Sequence, residues 1–233
     1  MSKEHILREH HRSVVYTEKD WTLLRSKREK ALNIIMLFEH FKPYLYGSIA
    51  RGNVHEESDV DIIFLNQIPP FQIEMVLEQN DIRNYHKEII IATPQDSIRL
   101  YIHISELECI TVPLTKLDKR NLQFYDFGGK IDLNQLKEDI RVPGIDKRLV
   151  LIKPTSKGHE EVSIIGNEHI AAKEVGISVN SVNERKNVLL RREKHGRTGV
   201  FFKKIIEANE STEEVLKKLA DKNSLVRKKL FLR

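Results

Sequence analysis

A single cysteine, Cys109, stands in 233 residues. No internal disulfide can form, and the expected compartment is a reducing one, the cytoplasm. The ten histidines show no Cys/His spacing of the kind that holds zinc, so no zinc site is expected. No apolar run approaches the roughly 18 residues that a membrane span needs. The first twelve residues lack the apolar stretch of a signal peptide. Gly128-Gly129-Lys130 lacks the rest of a phosphate loop and carries no nucleotide role by itself. Internal repeats and low-complexity stretches are missing too. What remains, with 40% hydrophobic and 31% charged residues, is the composition of a soluble globular chain of one large or two small domains.

Charge is unevenly spread. Residues 1–140 hold 18 Lys/Arg against 22 Asp/Glu, a balance of −4, whereas residues 141–233 hold 21 against 12, a balance of +9. The asymmetry suggests an acidic, cation-binding part and a basic part that meets a polyanion.

The densest chemistry lies at residues 44–65. An apolar run, Tyr44-Leu45-Tyr46, leads into Gly47-Ser48. Asp59-Val60-Asp61 then opens a second run, Ile62-Ile63-Phe64-Leu65. Side chains alternate along a strand, so Asp59 and Asp61 share a face about 7 Å apart along the chain, with Val60 behind them. Carboxylates at that spacing repel unless a cation relieves them, and a hard-oxygen pair suits Mg²⁺ that completes its shell with water and phosphate. A Gly-Ser turn lets backbone N–H groups and a hydroxyl approach a phosphate closely.

Gly47-Ser48, with Asp59-x-Asp61 about ten residues on at a strand start, resembles the signature of the DNA polymerase β nucleotidyltransferase superfamily. That resemblance implies a mixed sheet with helices and transfer of a nucleoside monophosphate from an NTP to a hydroxyl. It implies two Mg²⁺ (or Mn²⁺) ions held by Asp59, Asp61 and a third acid on a neighbouring strand. Gly47 and Ser48 would hold the β- and γ-phosphates, and Arg51 is placed where a cation could meet the triphosphate. Residues 98–104 and 107–113 read as a hairpin, whose apolar-acid-apolar second strand running into Val112-Pro113 is similar to that of class I (archaeal-type) CCA-adding enzymes. Glu108 is therefore the expected third ligand, and Glu88 its rival. The chain is much shorter than a full CCA-adding enzyme, so the likeness stops at the catalytic part.

Around this motif, Thr17 and Asp20 predict a helix start, and Trp21 to Phe38 follow helical spacing up to about Phe41. A helix is expected at 69–80, a strand at 86–92, and a short helix at about 133–140. Residues 141–167 read as connecting structure, giving a catalytic domain at 1–140 and a basic domain at 141–233.

In residues 168–185, Ala171-Ala172, Gly176, Ile177 and Val182 resemble a helix-turn-helix, with 197–202 as a wing strand. Arg185 departs from that pattern where an aliphatic residue is usual. The alternative is a helical hairpin that packs on the catalytic part. The expected class is α+β: a nucleotidyltransferase sheet plus a smaller, mostly helical, winged helix-turn-helix-like domain. Arg185, Arg191, Arg192 and Arg197 are its candidate nucleic-acid contacts, with RNA favoured over DNA as acceptor. The other readings are a nucleotide-sensing, non-enzymatic DNA-binding regulator, or transfer to a small molecule or protein.

Overall fold

A computed structural model describes residues 5–83, 85–196, 198–207 and 210–231. Strand β1 (His11–Val15) precedes helix α1 (Glu18–Leu37). The expected capping box forms: the Thr17 hydroxyl accepts from the Asp20 N–H, and the Asp20 carboxylate accepts from the Thr17 N–H. The helix ends at Leu37 rather than Phe41, because the last residues tighten into a 3-10 turn, Glu39–Phe41, before Pro43.

Next come β2 (Tyr44–Tyr46), α2 (Ser48–Arg51), β3 (Val60–Ile63), α3 (Pro70–Gln79) and β4 (His86–Ile91). The hairpin β5 (Arg99–Ser105) and β6 (Glu108–Pro113) is present as expected. Helix α4 (Lys119–Gly128), which periodicity did not single out, is capped by Asp118, whose carboxylate accepts from the Asn121 N–H at 2.7 Å. Strand β7 (Lys130–Asp132) and the short helix α5 (Leu133–Lys137) complete this region.

The remainder runs β8 (Gly144–Ile145), β9 (Val150–Thr155), β10 (Gly158–Ser163), α6 (Glu168–Glu174), α7 (Val179–His195), β11 (Phe202–Ile206), α8 (Thr212–Lys222) and α9 (Ser224–Phe231). One sheet has seven strands in the order β11-β4-β5-β6-β3-β2-β7, with β3 and β6 parallel and the other pairs antiparallel. A second, antiparallel sheet has the order β1-β10-β9-β8. This is a mixed α+β fold.

One face of the large sheet is the main core, where Ile35, Phe38, Leu45, Ile62, Phe64 and Ile110 are at 0% exposure. Burying each such side chain contributes roughly 1.5–3 kcal/mol. The opposite face carries the polar residues considered below, and α4 and α7 cover its β2 end.

The division expected at residue 140 is crossed by both sheets. From the C-terminal side, β11 pairs with β4, and Val215, Ala220 and Val226 join the main core. From the N-terminal side, β1 pairs with β10. Phe202 and Ile206 of β11, with Val215, Leu216, Leu219 and Ala220 of α8, pack into the main core, so these segments complete it rather than fold apart. Nor is β11 a wing: it is an edge strand of the large sheet.

Candidate active site

Gly47 joins β2 to α2 at φ +87° and ψ −143°, a backbone state that L side chains rarely adopt. Its N–H donates to the Gly129 carbonyl at 2.9 Å. A Cβ there would lie 4.0 Å from Asp61 Oδ2, so the Gly-Ser turn and the Asp-x-Asp strand meet. Two cations of α1 hold this junction from behind. Lys27 Nζ donates to the carbonyls of Glu56 and Ser58, 2.8 Å each, which fixes the loop entering β3. Arg28 donates to the Ile49 and Ile140 carbonyls.

Strand register shows what surrounds Asp61. One ladder row crosses the sheet as Lys130, Tyr46, Asp61, Cys109, His103 and His86. Residues paired across a sheet point to the same face, and neighbouring strands are about 4.8 Å apart. Asp59 is exposed and Asp61 half-buried on that face. Burial, and then the Asp59 charge, push the Asp61 carboxyl up to about 6, with Lys147 of the β8–β9 turn opposing them. Beside it, burial and the Asp61 charge push the Cys109 thiol up to about 12, so it stays protonated at neutral pH.

Glu108 falls elsewhere. It pairs with Val60, which is 2% exposed, and so shares the face opposite Asp59 and Asp61. The hairpin was expected correctly. Its parallel register against β3, Val60 to Glu108 and Asp61 to Cys109, sets Cys109 rather than Glu108 beside Asp61. The rival Glu88 is on the catalytic face, but three strands from β3. Its carboxylate meets Lys203 and, at 3.3 Å, His103 Nε2. Burial opposes its ionisation, yet those hydrogen bonds outweigh burial and hold its pKa below the usual range. Among the described residues, no group of three or more His, Cys, Asp or Glu side chains is placed to hold a metal ion.

Arg51 is also diverted. Its side chain is buried and donates to the Gly128 carbonyl and, at 3.0 Å, to Asn53 Oδ1. It ties α2 to the end of α4 instead of facing a ligand. Gly128 is tight for its own reason: a Cβ there would come within 2.3 Å of the Tyr46 hydroxyl.

The candidate nucleic-acid contacts separate. Arg197 lies outside the described residues. Arg191 and Arg192 are exposed near the end of α7. Arg185 instead faces α4, its guanidinium 4.8 Å from the Phe124 ring centroid. The start of α7, which a recognition helix would offer to bases, is occupied. Ser178 and Ser181 donate to Gln123 Oε1, and Glu184 pairs with Arg120 at 2.9 Å. The helical pair thus packs on α4 through α7. Lys147 and the Cys109–His103 row carry no local signal, because strand register brings the row, and packing of the β8–β9 turn brings Lys147, towards Asp61.

A family model described as a nucleotidyltransferase domain matches residues 35–157, from the last turn of α1 to the β9–β10 turn. The chain belongs to the nucleotidyltransferase domain family of the DNA polymerase β superfamily, and is a transferase of that class. No curated protein and no solved structure gives a significant match. No helix among the described residues is long and apolar enough to cross a membrane.

Proposed function

We propose that the chain transfers a nucleoside monophosphate from an NTP to a hydroxyl on nucleic acid, with RNA as the favoured acceptor. The observation that carries the transfer reading is the approach of the Gly47-Ser48 turn to Asp61, whose Oδ2 would lie 4.0 Å from a Cβ at Gly47, with the Asp59 charge acting on Asp61.

Asp59 and Asp61 are the residues that would hold a divalent cation, Mg²⁺ or Mn²⁺. Burial, and then repulsion from Asp59, raise the Asp61 carboxyl, and a bound cation would relieve both. Bound there, the ion neutralises charge on the reacting phosphate oxygens. A second ion, expected from the resemblance to superfamily members, has no third carboxylate beside Asp59 and Asp61 among the described residues, Glu88 being three strands away. The residues present fit one ion.

The N–H groups of a helix's first turn have no intrahelical acceptor. Those of α2, with the Ser48 hydroxyl, orient the phosphate tail. The absence of a side chain at Gly47 leaves room beside Asp61. The acceptor hydroxyl oxygen attacks the α-phosphorus as its proton passes to solvent, the bond to the β-phosphate oxygen breaks, and pyrophosphate leaves with the electron pair. Catalysis is chiefly positioning and charge neutralisation.

Support for a nucleic-acid acceptor is the +9 balance after residue 140, carried on solvent faces by Arg191, Arg192, Lys217, Lys218 and Lys222. Incubation with α-labelled NTPs, Mg²⁺ or Mn²⁺, and total RNA or duplex DNA tests the acceptor. Label in discrete RNA bands is expected. Label only in DNA, in a protein or in a small molecule would overturn the choice of RNA.

A further inference from the structure

Arg185 is the one residue of α7 that breaks the helix-turn-helix pattern, and its surroundings are unusual for a guanidinium. It is half-buried at the α4–α7 contact, stacked on Phe124, and burial pushes its pKa down. No carboxylate among the described residues forms an ion pair with it. Arg120, by contrast, pairs with Asp96 and Glu184 and Arg148 with Asp146 and Glu161, while Arg51, Arg99 and Arg141 donate to carbonyl, amide or hydroxyl oxygens. Taking a cation out of water costs several kcal/mol unless an anion or hydrogen-bond acceptors replace the water.

The place matters as much as the missing partner. Phe124 stacks on Tyr46 at 6.0 Å between centroids. Tyr46 is the ladder partner of Asp61 and immediately precedes Gly47. In the sheet, Asp61 is central; β2 and the Gly-Ser turn lie on one side of it, and β6, β5 and β4 on the other. Arg185 stands above the β2 side, where the phosphate tail runs in the reading given above.

We propose that Arg185 of α7 binds the β- and γ-phosphates of the nucleotide, so that a helix outside the family-matched segment completes the NTP site. The inference rests on the nucleotidyl-transfer reading. A guanidinium held over an aromatic ring still presents paired N–H donors, which suit phosphate oxygens. The ligand is the triphosphate tail rather than acceptor phosphates, because the residue lies on the Gly-Ser side.

The test compares equilibrium binding of each NTP and its NMP to the full chain, without acceptor, in wild type, Arg185→Met and Arg185→Lys. Met keeps the apolar stem on Phe124 and removes the charge. It should weaken NTP binding about 10- to 100-fold, the worth of charge-assisted hydrogen bonds, and leave NMP binding unchanged. Lys should fall between.

Wild-type protein should also show Arg185 shielded from phenylglyoxal by NTP but not by NMP, read by mass spectrometry, which needs no variant to fold. Unchanged NTP affinity in Arg185→Met, equal losses for NTP and NMP, or equal shielding by both would overturn the assignment. Wild type that binds no NTP at all would instead overturn the transfer reading on which it rests.

Discussion

Asp61→Asn should stabilise the metal-free protein at neutral pH, although it removes a residue that the proposed reaction needs. Burial and the neighbouring Asp59 raise the Asp61 carboxyl from 3.8 to about 6. A shift of that size corresponds to an ionisation cost of up to about 3 kcal/mol in the native state, at 1.36 kcal/mol per unit. The native protein therefore holds this proton more tightly than the unfolded chain does. The contribution is fully present below about pH 4 and is lost as pH rises through about 6. Asparagine has no charge to desolvate. The stability difference between Asp61→Asn and wild type should be smallest near pH 4 and grow to as much as about 3 kcal/mol above pH 7.

Urea unfolding of both proteins with EDTA, at steps from pH 4 to pH 8, reads this difference directly, because groups common to both cancel. Added Mg²⁺ should stabilise wild type by about 2.7 kcal/mol at a hundredfold excess over its Kd, and should stabilise the variant less. A difference independent of pH, or an Asn variant less stable at pH 7, would refute the electrostatic account of this site.

Three other outcomes follow from particular side chains. Glu108→Gln should leave the transfer rate within about threefold of wild type, as its partner Val60 puts it behind the catalytic face; a loss of two orders of magnitude, the scale of a residue acting in the chemical step, would show that it reaches the reacting groups. Glu161→Gln should destabilise the protein by about 3 kcal/mol at pH 7: burial disfavours the Glu161 charge, but Arg148 and His10 outweigh it and hold the carboxyl at about 2, so the stabilisation is present above about pH 4.5 and disappears as pH falls towards 2, which urea unfolding across that range would check. Charge reversal at Arg191 and Arg192 together should weaken RNA binding and flatten its log–log salt dependence by about 0.7 for each single-strand phosphate that is no longer neutralised; an unchanged slope would remove this end of α7 from the interface.

The parts of the fold that could be read in advance are those with local signals. Thr17 and Asp20 announce α1, Gly196 closes α7, and Gly47-Ser48 with Asp59-Val60-Asp61 marks the β2–β3 junction. All depend on neighbours within a few residues. Glu108 was a question of register between β6 and β3, where a difference of one residue turns alternate side chains to the other face. Arg51 read as a free cation because its partners, the Gly128 carbonyl and Asn53, include one 77 residues away. The charge change at 140 suggested a domain boundary, yet charge describes a surface while β11 and α8 are placed by their apolar faces. Arg185 was noticed as an exception to one motif, and only the packing of α7 on α4 shows which side it faces.

The central claim is that Asp59 and Asp61, beside the Gly47-Ser48 turn, carry nucleotidyl transfer. Its most direct test is release of pyrophosphate together with covalent capture of an α-labelled NMP, measured for wild type, Asp59→Asn and Asp61→Asn after each is shown to be folded. The account predicts transfer by wild type with Mg²⁺ or Mn²⁺ and none above background in either variant. Transfer at the wild-type rate by either folded variant would contradict it.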